Sequence, residues 1–107
     1  MKTPVPPYVE GVRALAAEAR ERAADALLGL DAVRQAVTLA AASGFDQVVI
    51  RPALPVDLRG TVAARAAVKF LTDGGASATW QQYVAADPNG RQLVGHELRI
   101  EWGGAPF

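Results

Sequence analysis

The feature that most limits what this chain can fold into is an apolar stripe at helical spacing through its first forty residues. Val9, Val12, Ala16, Ala19, Ala23, Ala26, Leu30, Val33, Val37 and Ala40 recur at steps of three and four without a break, which is the period of one helix face. Pro7 suits the first helical turn, where its missing N–H has no partner to lose, and Gly44 suits a left-handed stop. Gly29 is the ambiguous position: a glycine inside a helix costs about 1 kcal/mol relative to alanine, and Asp31 can cap a new start. Because the stripe keeps its phase through Gly29, the reading is a single helix over 8–43, bent there, in preference to two consecutive helices. Residues 1–7, with three prolines, read as an extended lead-in.

Residues 46–51, β-branched at Val48, Val49 and Ile50 and followed by Pro52, form a short run that ends at the proline, as a strand does. Asp57 or Thr61 can cap a helix whose inner face is Val62, Ala63, Ala66, Ala67, Phe70 and Leu71, closed by Gly74 and Gly75. Segments 76–86 and 91–102 flank Asp87-Pro88-Asn89-Gly90, a turn that makes them a β-hairpin. If the turn carries a bulge at Gly90, Val84 faces Val94, Gln82 faces His96, Trp80 faces Leu98 and Ala78 faces Ile100. That face becomes the core, and Thr79, Gln81, Tyr83, Glu97, Arg99 and Glu101 line an open polar face. The expected fold is α+β in the order α-β-α-β-β: a long N-terminal helix and a second helix on one face of a three-stranded sheet ending in a β-hairpin. At 107 residues this is one domain, with 103–107 a loose tail.

Composition removes whole classes of function. Eleven basic residues balance eleven acidic ones, which excludes the bulk charge of a nucleic-acid coat or mimic. With no cysteine and a single histidine, thiol nucleophiles, redox pairs and tetrahedral zinc sites cannot be built in one chain, and no metal or cofactor is expected. No apolar run approaches the length of a membrane span, so a cytoplasmic protein with no membrane partner is expected. The 22 alanines and the excess of Arg over Lys, nine to two, suit a GC-rich coding sequence. Separately, the small α+β plan resembles that of small proteins carried by bacteria and their phages, and a bacterial or phage-encoded protein is expected.

Few residues carry chemistry. His96 can act as a base, but its expected neighbours are apolar or amide, so a structural histidine is the better reading. Neither Ser43 nor Ser77 lies in a nucleophile-elbow pattern, and no glycine-rich phosphate loop is present. Charge is uneven along the chain. Residues 47–72 hold four bases and one acid, so Arg51, Arg59, Arg65 and Lys69 are the candidate nucleic-acid contacts, a second choice because few phosphates would be neutralised.

The stripe itself is the sharper signal. A 35-residue helix would be about 50 Å long, against about 33 Å for a ten-residue strand, so part of it overhangs and needs another surface; a break at Gly29 into a hairpin of helices would remove that argument. The expectation is a small non-enzymatic interaction module, an adaptor or inhibitor working by surface contact with another protein or a second copy of itself. Its candidate contacts are the helix stripe Val9, Val12, Ala16, Ala19 and Ala23, or the open sheet face around Tyr83 and Arg99. A third reading, behind nucleic-acid binding, is a small-ligand binder or enzyme whose site near Trp80, His96 and Trp102 is assembled across a dimer interface.

Overall fold

The computed structural model describes residues 7–103; the lead-in 1–6 and tail residues 104–107 lie outside the described residues. The N-terminal stripe becomes two helices joined at one residue, α1 (Pro7–Leu28) and α2 (Leu30–Ala42). Gly29, at φ −56° and ψ 150°, leaves helical geometry, so the single helix over 8–43 is broken where the glycine allows it. Its N–H still donates to Asp25 at 3.1 Å while its carbonyl accepts from Val33 at 2.9 Å, ending one helix and starting the next. Any side chain at this position would place its Cβ 2.6 Å from the Asp25 carbonyl oxygen. After α2 the Ser43 hydroxyl donates to the Leu39 carbonyl at 2.9 Å, and Gly44 takes φ +93°, the left-handed stop expected of it.

The remaining elements are β1 (Gln47–Ile50), α3 (Val62–Asp73), β2 (Ser77–Ala86) and β3 (Gln92–Glu101). The strands lie in the order β1-β3-β2, with both outer strands antiparallel to β3. Gly90 adopts φ +82°, and the Asp87 carboxylate accepts from the backbone of Asn89 and Arg91 at 2.9 and 2.8 Å. The bulge fixes the expected register, with Val84 opposite Val94, Gln82 opposite His96, Trp80 opposite Leu98 and Ala78 opposite Ile100. Leu98 and Ile100 are fully buried and pack with Ile50, Val33, Leu28, Leu58 and the small face of α3. Among the described residues no helix is long and apolar enough to cross a membrane.

Three local expectations are corrected by packing. The buried face of α3 is Ala63, Ala64, Ala67 and Leu71, whereas Val62 is exposed and Phe70 sits at the margin beneath the Arg34 guanidinium, 4.9 Å from the ring centre. The spacing 64, 67, 71 satisfies the helical period as well as the expected one, and its smaller residues let α1 approach through Ala24 and Leu28. Val84 and Val94 are exposed instead of core. Ten-residue strands outrun a twelve-residue helix, about 33 Å against about 18 Å, so the hairpin tip has nothing above it.

The sheet face expected to be open is in part closed. Tyr83 and Glu97 are buried. The Arg51 guanidinium stacks 4.2 Å over the Tyr83 ring and donates to Glu97 at 2.8 Å, while the Tyr83 hydroxyl donates to the Pro52 carbonyl at 3.4 Å. The Tyr83 ring lies over its cross-strand partner Gly95, where a Cβ would fall 2.5 Å from the ring, so glycine is required there by close approach.

Candidate functional site

The first half of α1 stands clear of the fold. Every residue from Gly11 to Arg20 is exposed, Val9 is half-buried, and of this helix Ala24 and Leu28 are buried in the core with Leu27 packed against it. Of the expected stripe, Val12, Ala16, Ala19 and Ala23 are therefore uncovered among the described residues, and Leu15 beside them is 62 % exposed. The anchor lies further along: the Glu21 carboxylate accepts from the Val62 N–H at 3.2 Å, capping the start of α3. At the same turn the Thr61 hydroxyl accepts from Ala64 at 3.2 Å. The result is a helix fixed at its C-terminal half and free at its N-terminal half.

Between α1 and the segment 52–60 runs a groove of about 940 Å³. One wall is Ala16, Ala19, Ala23 and Leu27; the other includes Pro52, Leu54 and Val56. Leu54 is 60 % exposed. Sequence reasoning missed this second wall, although an apolar residue in the loop between Pro52 and Pro55 was a visible signal. An apolar groove with small residues on one side suits a helix presenting large apolar anchors.

The basic segment does not act as one patch. Arg51 lies on the outer sheet face with Glu97, while Arg59, Arg65 and Lys69 surround a shallow depression of about 400 Å³ beside Trp80, between α3 and β2. Arg59 forms a two-pronged pair with Asp57, both bonds 2.9 Å. Lys69 pairs with Asp73 at 2.9 Å, and Arg65 donates to the Gly60 carbonyl at 3.0 Å. Hydrogen bonds from the Arg59 side chain, against an opposing effect of burial, lower the Asp57 carboxyl from its ordinary 3.8 to about 2. Asp57 in turn raises the Arg59 guanidinium.

His96 has a closer acid than its strand neighbours suggest. Its Nδ1 lies 3.9 Å from the Asp57 carboxylate, beyond hydrogen-bond reach, and is buried without a partner among the described residues. A base beside a carboxylate needs a nucleophile or a substrate proton in reach. The Thr61 hydroxyl instead donates to Leu58 at 2.6 Å, and that of Ser43 serves Leu39. Arg99 is exposed but engaged by Gln47 at 2.8 Å and Glu101 at 2.6 Å. With Tyr83 buried, the two residues do not form one open surface. Comparison of the chain with protein-family models, curated proteins and solved structures finds no match.

Proposed function

We propose that this protein is a non-enzymatic interaction module, an adaptor or inhibitor whose contact surface is the N-terminal half of α1 with the adjoining groove. The observation that carries this reading is the exposure of Gly11–Arg20 together with an apolar groove at their base. The partner this surface fits is an amphipathic helix whose large apolar side chains enter against Ala16, Ala19 and Ala23, where the backbone can be approached closely. Central apolar anchors in such a groove dominate binding energy.

The test is a partner captured with the intact chain in nuclease-treated lysate and then reconstituted as a stoichiometric complex from purified components. Ala19→Glu and Ala23→Glu, which place a charge on the groove wall without touching the core, are expected to abolish that complex and leave the melting temperature unchanged. A turnover activity that His96→Ala removes without loss of stability would overturn the reading.

Nucleic-acid binding through Arg51, Arg59, Arg65 and Lys69 finds less support, because Arg51, Arg59 and Lys69 are each paired with a carboxylate. Only a steep loss of RNA or DNA binding between roughly 50 and 200 mM salt, with a further drop on Arg65→Glu, would restore it.

A further inference from the structure

The two edges of the sheet are built differently. β1 is four residues long and is followed at once by Arg51 and Pro52, a short edge that ends in a charge and a proline. β2 is ten residues long and contains no charged residue, no proline and no glycine. Among the described residues no backbone or side-chain group pairs with its outward N–H and C=O groups. Long edges of soluble proteins are ordinarily blunted by Lys, Pro, bulges or a covering element, and β2 has none of these.

We propose that the β2 edge pairs antiparallel with the β2 edge of a second copy, joining two three-stranded sheets into one of six strands. A two-fold axis at Gln82 sets Gln82 opposite its own counterpart, Trp80 opposite Val84, and Ala78 opposite Ala86. Residues paired this way share a face, so the two core faces become continuous. Two features that the single chain leaves open to solvent are satisfied together. Val84, 64 % exposed in the single chain, gains an aromatic cross-strand neighbour, and the depression beside Trp80 gains an apolar occupant from the second copy. An uncharged strand meets its own copy with no like charges opposed, and only a second copy supplies that valine by symmetry. The α1 groove takes no part, so this inference stands or falls apart from the function proposed above.

The absence of cysteine gives a direct test. The Cα atoms of directly opposed antiparallel residues lie about 4.5 to 5.5 Å apart, within disulfide range. Under mild oxidation the Gln82→Cys variant is expected to form a covalent dimer in high yield, whereas Ala19→Cys on the α1 groove is expected to stay monomeric. Sedimentation of the unmodified protein is expected to show a concentration-dependent dimer. Gln82→Lys and Gln82→Glu should each weaken it by about tenfold or more, through like charges at the axis, and mixing the two variants should restore it. Near-ultraviolet circular dichroism and melting curves confirm that each variant is folded. A protein that remains monomeric at every concentration, or a dimer bridged by Ala19→Cys and not by Gln82→Cys, would overturn the proposal.

Discussion

Two helices of this protein carry alanine in similar patterns and put it to opposite uses. In α3, Ala63, Ala64 and Ala67 are buried against the sheet and α1, whereas in α1, Ala16, Ala19 and Ala23 are exposed. The residue type does not decide the outcome, because burying one methyl side chain contributes little by itself. What decides it is the surface opposite. α3 packs beside β2 into the core that holds Leu98 and Ile100, while the first half of α1 has no strand or helix covering it among the described residues. An alanine face is therefore inexpensive to leave in water and ready to admit a close-packed partner, two properties that a leucine face would not combine.

The covered core and the free half of α1 differ most at their leucines. Leu98→Ala is expected to cost roughly 3 kcal/mol through the cavity it leaves, seen as a lowered urea midpoint, whereas Leu15→Ala on free α1 should stay within about 0.5 kcal/mol. Equal losses would mean that α1 is covered. Overpacking gives the next largest contrast. Ala67→Leu should destabilise by about 1 to 3 kcal/mol because α3 has no room for three more carbons, while Ala19→Leu should leave stability unchanged and alter only partner binding. Arg51→Ala, which leaves the buried Glu97 without its guanidinium, should cost about 1 to 3 kcal/mol in the same assay.

The smallest effect concerns acid. The Asp57 carboxyl sits at about 2 when folded, against an ordinary 3.8, so its pairing with Arg59 stabilises the fold above about pH 4 and is lost as pH falls towards 2. Both side chains are about half exposed, which limits the contribution to less than about 1 kcal/mol. Asp57→Asn should flatten the acid limb of the stability profile. A profile unchanged by Asp57→Asn would remove this pair from the ledger of folding contributions.

Much of the fold was legible in local chemistry. Gly44, Gly74 with Gly75, and the Asp87–Gly90 turn mark ends that backbone geometry enforces wherever the chain lies, and strict alternation then sets the hairpin register without tertiary information. The break at Gly29 was legible only as an alternative, since an unbroken periodicity and a glycine point opposite ways. The candidate site was half legible: the α1 wall showed as a stripe, but its facing wall at Pro52, Leu54 and Val56 has no periodicity to read. Asp57 beside His96 and Glu21 at the start of α3 join residues far apart in sequence, and nothing local announces such pairs.

The sequence by itself determined most of the helix and strand segments, the stops at Gly44, at Gly74 with Gly75 and at the Asp87–Gly90 turn, and which hairpin residues face each other; the break at Gly29 and the exposure of the first half of α1 it did not. Tertiary structure alone decided how each helix is rotated about its axis and which loop closes a face, so that Ala64 is buried in place of Ala66 and Tyr83 lies beneath Arg51. The reason is one of range. Turn geometry, capping and alternation act over a few residues, whereas burial depends on how far a neighbouring element reaches, and that is fixed only when all the elements are assembled.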